Sequence, residues 1–296
     1  MDFLPIETLK PRIQPIVNIE WKSKKISCSM LRLDEVDKHV SGNKLFKLHF
    51  FLQQATREQK GILTFGGAWS NHLAATASAC KKLNISCQGI IRGERSKALS
   101  STLQFCADEG MQLKFVDRTE YDNIKTGDTL IDESHVIIPE GGYSFTGTQG
   151  AALIRNFFIH ENFTHVCCSI GTGTTFAGLL TDDRHKYVGF TAIKNMTDIA
   201  QRINYLSDNK QSLDYEIIYD YHFGGFAKYN IELIKFMNGF YEAHKIPLDF
   251  VYTGKMMFGI SKMIIENYFP ENCSILCLHT GGLQGNLSLP KNTLVY

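Results

Sequence analysis

The chain of 296 residues lacks a charge excess of either sign. Its 31 lysines and arginines are balanced by 30 aspartates and glutamates, for a formal net charge of +1. Proteins that bind nucleic acid or an anionic membrane surface through their overall charge carry a clear basic excess, so the composition argues against both partners. The apolar share of 44% is too high for a disordered chain. The length suggests two domains or one large domain.

Long apolar runs are also lacking. No stretch approaches the ~18 consecutive apolar residues that a membrane-spanning helix needs. The N-terminal segment MDFLPIETLKPRIQPI has no basic start followed by an apolar core, so it is not typical of a secretory signal peptide. These absences predict a soluble cytoplasmic protein.

The cysteines lack the spacing of a metal site. The chain has eight of them, with no C-x-x-C pair, and several lie inside apolar runs such as VCC at 166–168. No zinc site and no other metal site is therefore predicted. Because free buried cysteine behaves as a small apolar residue, we interpret the eight as reduced thiols of the core.

Short apolar strands alternate with helical patterns along the chain. The strands are predicted at 61–65, 85–91, 111–116, 135–139, 164–170, 187–193, 216–221 and 274–279, and the helices at 68–83, 101–109, 148–160, 176–180, 230–245 and 255–268. Strands that are apolar throughout and are separated by helices are typical of buried parallel sheets. The pattern predicts an α/β fold.

A glycine-rich loop, GTGTT at 171–175, connects a predicted strand to a predicted helix. Glycines let backbone amides approach an anion closely, and the N-terminus of the following helix is positive, so the loop suits a phosphate. It is neither G-x-G-x-x-G nor a Walker loop, and it indicates no dinucleotide or triphosphate. A tight turn without a ligand is the alternative.

Two further segments place polar side chains beside glycine turns. Lys44 lies in SGNKLFKL at 41–48, between a glycine turn and an amphipathic helix. The segment GGAWSNH at 66–72 carries three adjacent polar residues at a strand end, which are Ser70, Asn71 and His72. Ligands of open α/β sheets bind beyond the carboxyl ends of strands. The alternatives are a solvated lysine and ordinary helix capping.

The C-terminal half contains two similar segments, VYTGK at 251–255 and LHTGGL at 278–283. We interpret each as an apolar strand that ends in polar residues and glycine. Turn chemistry alone is the alternative for both, and a lone histidine such as His279 is more often structural than catalytic.

In combination these segments resemble the 1-aminocyclopropane-1-carboxylate deaminase / D-cysteine desulfhydrase family of enzymes that use pyridoxal 5'-phosphate (PLP). The resemblance extends from Leu31 to Gly285. It rests on five motifs in a specific order, which are S-G-N-K-x-x-K-L at 41–48, G-G-x-x-S-N-H at 66–72, G-T-G-T-T at 171–175, V-Y-T-G-K at 251–255 and H-T-G-G-L-x-G at 279–285.

The resemblance implies the fold type II (tryptophan synthase β-like) architecture, with open, mostly parallel sheets. It implies a large PLP-binding domain formed by residues 1–48 and 156–296, a small α/β domain formed by residues 49–155, and the cofactor in the cleft between them. It also suggests a homodimer that acts on a small-molecule amino acid.

Roles for single residues follow from the resemblance. Lys44 matches the Schiff-base lysine and the catalytic base, Asn71 the residue that hydrogen-bonds the ring oxygen of PLP, and Thr280 the residue that faces the pyridine nitrogen. The phosphate cradle matches Gly171, Thr172, Gly173, Thr174 and Thr175. Ser70, Asn71, His72 and Tyr252 match substrate-side residues, of which Ser70 and Tyr252 are also expected to be catalytic.

The predicted reaction is β-elimination on a small D-amino acid, with D-cysteine giving pyruvate, hydrogen sulfide and ammonia. Thr253 stands where the deaminases of the family have glutamate, which favours the desulfhydrase. Phe226 stands where relatives usually have a second catalytic tyrosine. The alternatives are 1-aminocyclopropane-1-carboxylate deamination to 2-oxobutanoate and ammonia, and a catalytically impaired PLP-binding homologue.

Overall fold

The computed structural model describes residues 6–126, 133–180, 184–207 and 214–296. Residues 1–5 lie outside that description. They are the start of the N-terminal segment that we compared with secretory signal peptides. Within the described ranges no helix is both long and apolar enough to cross a membrane.

The described residues form strands and helices in alternation. The strands are β1 (Ile13–Ile16), β2 (Ser27–Leu31), β3 (Gly61–Gly66), β4 (Cys87–Arg92), β5 (Gln112–Val116), β6 (His135–Ile138), β7 (His165–Ile170), β8 (Lys186–Thr191), β9 (Tyr215–Ile218) and β10 (Ser274–Leu278). The helices are α1 (Ile19–Ser23), α2 (Asn43–Glu58), α3 (Asn71–Leu83), α4 (Ser101–Asp108), α5 (Arg118–Thr126), α6 (Phe145–Ala152), α7 (Thr174–Leu179), α8 (Ile199–Leu206), α9 (Ile231–His244) and α10 (Thr253–Ile265).

Two sheets organise these elements. One has six strands in the order β1-β2-β10-β7-β8-β9, and the other has four in the order β5-β4-β3-β6. All neighbouring strands run parallel except β1, which pairs with β2 in the antiparallel direction. Every residue of β3 and β7 is buried, as expected for parallel strands that are covered by helices on both faces. The predicted α/β fold is confirmed.

The two sheets use different parts of the chain. The four-stranded sheet takes all its strands from residues 61–138, and the six-stranded sheet takes its strands from residues 13–31 and 165–278. Helix α2 continues across the expected domain boundary at 48/49. The exact boundaries of the two domains stay a prediction.

The expected strand at 251–252 is wrong, because these residues form a turn and α10 begins at Thr253. The carboxylate of Asp249 explains the turn. It accepts hydrogen bonds from the backbone amides of Val251 at 3.0 Å, Tyr252 at 2.7 Å and Thr253 at 2.8 Å. These amides therefore cannot pair with a neighbouring strand. The amides at the start of a helix have no acceptor within the helix, and the Asp249 carboxylate supplies one.

Candidate active site

A cavity of about 1150 Å³ lies at the carboxyl ends of strands from both sheets. The segments that follow β3, β6, β7 and β10 all contribute to its lining. The ends of parallel strands are where open α/β sheets bind their ligands. Motifs as distant in the sequence as those at 41–48 and 279–285 therefore meet around one cavity.

The motif at 41–48 packs directly on the motif at 279–285. Gly42 has φ +66°, and a Cβ atom added to it would lie 2.0 Å from the carbonyl oxygen of Thr280. The next amide, that of Asn43, donates to the same oxygen at 3.2 Å. Glycine is thus required twice, by its backbone conformation and by the close approach. This contact fixes the start of α2, and with it Lys44, at the cavity.

Lys44 is half-buried and lines the cavity. Its Nζ donates to the side-chain oxygen of Asn43 at 2.6 Å. Burial lowers the pKa of Lys44 to about 8, against the opposing effect of the Asp249 carboxylate. A lysine with this pKa is partly neutral near pH 8, which is the state that a nucleophilic amine or a base needs.

Lys47 is a second buried lysine at the cavity, and the sequence predicted no role for it. It is 5% exposed, lines the cavity and donates from Nζ to the carbonyl of Gly141 at 2.6 Å. Burial and the nearby Lys44 lower its pKa well below the usual value. No carboxylate of the described residues lies within ion-pair distance of Nζ. The spacing of the two lysines in S-G-N-K-x-x-K-L was the available signal, because residues three apart share a helix face.

The loop at 171–175 lies beside these lysines. Gly173 has φ +89° and directly precedes α7, whose first-turn amides have no partners within the helix. The hydroxyls of Thr172 and Thr174 form a hydrogen bond of 2.9 Å. The Thr175 hydroxyl accepts from the side-chain amide of Asn43 at 2.8 Å. All but Thr174, which is fully buried, line the cavity. The arrangement offers donors and positive charge to one anion.

Ser70 and Asn71 lie at the start of α3, where both also line the cavity. The Ser70 oxygen accepts from the amide of Leu73 at 3.3 Å, so the capping interpretation holds for Ser70. Asn71 donates to the carbonyl of Gly282 at 3.2 Å, while its buried Oδ1 has no partner. A buried polar atom without a partner is expected to meet a ligand or water.

His72 lines the same cavity, and its ring is bound by the hydroxyl of Thr64 on β3. The Thr64 hydroxyl donates to the carbonyl of Ile138 at 2.9 Å and so accepts from Nε2 of His72 at 2.8 Å. The ring therefore carries its proton on Nε2, and its buried Nδ1 is an acceptor without a partner. Burial and the two lysines lower the pKa of His72 to about 3. A neutral acceptor is suited to a donor group of a ligand and not to a carboxylate.

Tyr252 also lines the cavity, beside Gly171. A Cβ on Gly171 would lie 3.2 Å from its ring, so this glycine gives the phenol its space. Burial, Asp249 and Glu140 raise the pKa of Tyr252, which keeps its hydroxyl protonated. Phe226 is 54% exposed and sets its ring 6.2 Å from that of Tyr252, at an interplanar angle of 65°.

Thr280 is 4% exposed, lines the cavity, and lies with its hydroxyl 3.3 Å from that of Ser169. The pair is neutral. Of the residues expected at the site, the structure brings these to one cavity: Lys44, Ser70, Asn71, His72, Gly171, Thr172, Gly173, Thr175, Tyr252 and Thr280. No group of histidine, cysteine, aspartate and glutamate side chains among the described residues could hold a metal ion.

Comparison with known proteins supports the same relationship. No family model matches the chain. A protein of Pyrococcus abyssi, provisionally named a 1-aminocyclopropane-1-carboxylate deaminase, is 29% identical over 95% of this chain and 92% of its own length. The bifunctional D-cysteine desulfhydrase/1-aminocyclopropane-1-carboxylate deaminase of Arabidopsis thaliana is 26% identical over 86% of this chain and 72% of its own length. The chain is a homologue of these proteins. The resemblance predicted from the motifs is confirmed.

Solved structures agree on the fold. The crystal structure of a homologue of ACC (1-aminocyclopropane-1-carboxylate) deaminase superposes with a TM-score of 0.82 at 23% identity, over 97% of this chain and 92% of that one. A pyridoxal 5'-phosphate-dependent aspartate racemase superposes with a TM-score of 0.65 at 11% identity, over 93% and 90%. The homologue thus has the fold type II architecture.

Proposed function

We propose that this homologue is a PLP-dependent lyase that removes the β-substituent of a small D-amino acid, with D-cysteine giving pyruvate, hydrogen sulfide and ammonia. One observation carries the proposal. The partly neutral amine of Lys44 shares a cavity with the glycine loop and with the buried amine of Lys47, which has no carboxylate partner among the described residues. The names of the relatives support the reaction class, and the preference for the D-configuration rests on them alone.

The donor set of the cavity fits PLP. The amides of the loop at 171–175 and the amine of Lys47 suit a phosphate dianion, which would stabilise the protonated form of that amine. Asn71 has a buried oxygen without a partner and would lie at the ring oxygen. The neutral hydroxyls of Thr280 and Ser169 suit a pyridine nitrogen without a proton. When bound, PLP supplies an electron-accepting ring that stabilises negative charge at the substrate Cα.

The protein's own residues then divide the work. Lys44, in its neutral form, would hold the cofactor and take the proton from Cα. Tyr252 remains protonated, since its pKa is raised, and could donate its proton to the departing sulfur. Ser70 would donate its hydroxyl hydrogen to the substrate carboxylate, while the oxygen accepts from Leu73. His72, as a neutral acceptor, would bind a donor of the substrate.

Two other functions remain as alternatives. Deamination of 1-aminocyclopropane-1-carboxylate to 2-oxobutanoate and ammonia is favoured by the names of several relatives. A PLP-binding protein with impaired catalysis is favoured by Phe226, which offers no hydroxyl beside Tyr252. A cytoplasmic location and a homodimer stay predictions.

The test is a substrate panel on protein loaded with PLP. We expect the loaded protein to be yellow and to form its 2-oxo acid product fastest from D-cysteine. The comparison substrates are L-cysteine and D-serine, which would also give pyruvate, and 1-aminocyclopropane-1-carboxylate, which would give 2-oxobutanoate. Lys44→Ala should lose the visible band of the bound cofactor, whereas Lys81→Ala, a surface variant, should keep it. A protein that stays colourless with added PLP would refute the proposal, and 2-oxobutanoate as the fastest product would favour the deaminase.

A further inference from the structure

The ammonium of Lys255 lies inside a cage of backbone carbonyl oxygens. Its Nζ donates to Gly225 at 2.7 Å, to His222 at 2.8 Å and, more weakly, to Ala192 at 3.5 Å. Lys255 is 2% exposed, and the described residues place no carboxylate within ion-pair distance of Nζ. Three donors thus face three neutral acceptors, which is how a buried ammonium can be satisfied without a counter-ion.

Two of the three carbonyls belong to the segment between β9 and α9, residues 219–230. The backbone of this loop is strained. Phe223 and Ala227 both have φ +53°, and Gly224 and Gly225 between them have φ +93° and +116°. Non-glycine residues adopt this conformation rarely, and it persists only where the surrounding structure fixes it. Lys255 binds the carbonyls on both sides of Phe223 and Gly224, so it joins this backbone to α10 in addition to the hydrogen bonds within the loop.

The strained loop also borders the candidate active site. Phe226 and Ala227 line the cavity, and the Phe226 ring contacts that of Tyr252. Lys255 stands three residues after Tyr252 and belongs to α10, the helix whose first turn the Asp249 carboxylate caps. The lysine therefore joins the loop to α10, the helix that begins directly after the substrate-side Tyr252.

We propose that Lys255 is a positioning residue whose ammonium acts as a built-in monovalent cation and holds the loop 222–227 against the substrate side of the cavity. A cage of backbone carbonyls is the ligand set that K⁺ takes in proteins. Burial lowers the pKa of Lys255 to about 8, so at neutral pH its amine is mostly an ammonium that fills this cage. The wild-type protein then needs no dissolved K⁺ or ammonium ion to order this loop. The link to the substrate rests on the proposed function, but the state of the loop can be measured without it.

The experiment follows tryptic cleavage after Lys228, which is exposed in the same loop. Lys255→Ala empties the cage, and we expect cleavage to become about 10-fold faster, because proteolysis tracks the open population of a segment. K⁺, ammonium or methylammonium should restore slow cleavage, while tetramethylammonium, which is too large for the cage, should not. Lys255→Met fills the space with an apolar chain and should be cleaved quickly under all four salts. Lys262→Ala, on the exposed side of the same helix, is the control.

Wild-type protein provides the part of the test that does not depend on a variant's folding. Its cleavage after Lys228 should be equally slow in Na⁺, K⁺ and tetramethylammonium salts. A wild-type loop that needs K⁺ or ammonium for protection would overturn the proposal, and so would a folded Lys255→Ala protein that is cleaved at the wild-type rate or that no small cation rescues.

Activity gives a second and separate reading. In Lys255→Ala we expect KM for D-cysteine to rise about 10-fold with a smaller change of kcat, and K⁺ to reverse the rise, because the loop borders the substrate and not the amine of Lys44. An unchanged KM in a variant whose loop is open would overturn the link to the substrate. If no substrate of the panel is turned over, the proposed function fails, and the cleavage results still decide on the cage.

Discussion

The hydroxyl of Thr253 donates to the carboxylate of Asp249 at 2.6 Å, and both side chains are fully buried. The same hydroxyl accepts from the Asp249 amide at 2.9 Å. Thr253 is therefore part of the cap of α10, and its side chain is turned toward Asp249. The lining of the cavity, as far as the described residues form it, includes the neighbouring Tyr252 but not Thr253. The residue that distinguished desulfhydrase from deaminase in the sequence acts here on the helix and not on a substrate.

A glutamate at position 253 is expected to destabilise the protein without creating a deaminase. Thr253→Glu would bury a second carboxylate beside that of Asp249, and we expect it to lower the free energy of unfolding by about 3 kcal/mol or more. Thr253→Val removes only the hydroxyl and should cost about 1–2 kcal/mol. Urea denaturation measures both. A Thr253→Glu protein of normal stability that turns over 1-aminocyclopropane-1-carboxylate would contradict this placement.

Lys47 predicts opposite effects on stability and on cofactor binding. Lys47→Met replaces a buried lysine without a carboxylate partner by an apolar chain of similar length, so the cofactor-free protein should gain about 1 kcal/mol or stay unchanged. Affinity for PLP should fall about 10- to 100-fold, since a charge-assisted hydrogen bond to the phosphate is lost. Titration of the visible band measures the affinity. Lys81→Met, at a surface ion pair, should change neither quantity, and a Lys47→Met protein with wild-type affinity would refute the phosphate role.

The pKa of about 8 for Lys44 predicts the pH dependence of cofactor uptake. Burial lowers this pKa from the usual lysine range, so the neutral amine is the major form above pH 8 and falls tenfold for each pH unit below it. The initial rate at which cofactor-free protein gains its visible band should therefore rise with pH and level off above pH 8. Stopped-flow absorbance between pH 7 and 10 measures the rate. A rate that still rises tenfold per unit between pH 9 and 10 would indicate an unshifted lysine.

The contact of Gly42 with Thr280 predicts that even alanine is not tolerated at position 42. Gly42→Ala would set a Cβ in a left-handed conformation and within 2.0 Å of a carbonyl oxygen that cannot move without breaking the bond to Asn43. We expect a loss of several kcal/mol of stability, or no folded protein. Gly110→Ala provides the comparison, because its φ is +94° but no atom lies within 4 Å of the added Cβ. Equal melting temperatures for the two variants would contradict the close approach.

Local patterns carried most of what the sequence could predict. Apolar runs marked the buried strands, and glycines marked the turns at their ends, because both depend on residues that are adjacent in the chain. Strands β1 and β2 were not predicted. β1 is a four-residue edge strand that contains Pro15, and β2, with the sequence SCSML, has serines between its first apolar residues. Helix α8 was missed as well, although it presents one buried face.

Charge and partner assignments depended on contacts that the sequence does not display. The sequence assigned no role to Lys47 or Lys255, and the fold places them against the carbonyls of Gly141 and Gly225. The tautomer of His72 is fixed by Thr64, which itself lies on a different element. The sequence shows only that threonine replaces the glutamate of the deaminases at position 253. The structure shows that the hydroxyl of Thr253 binds the carboxylate of Asp249. The resemblance predicted the site residues, and the structure brings most of them to one cavity and adds the contacts that each one makes.

Phe226 provides the sharpest test of what the site lacks. Its ring lies 6.2 Å from that of Tyr252 and is 54% exposed, so Phe226→Tyr adds a hydroxyl at the cavity mouth without burying a polar group. Stability should change by less than about 0.5 kcal/mol, as for other surface substitutions. If the missing hydroxyl limits proton transfer, kcat for D-cysteine should rise about 10-fold or more. Tyr229→Phe, in the same loop and outside the cavity lining, is the matched control for loop packing. Steady-state pyruvate release on PLP-loaded protein measures the effect, and an unchanged kcat would show that Tyr252 and Lys44 suffice for the proton transfers.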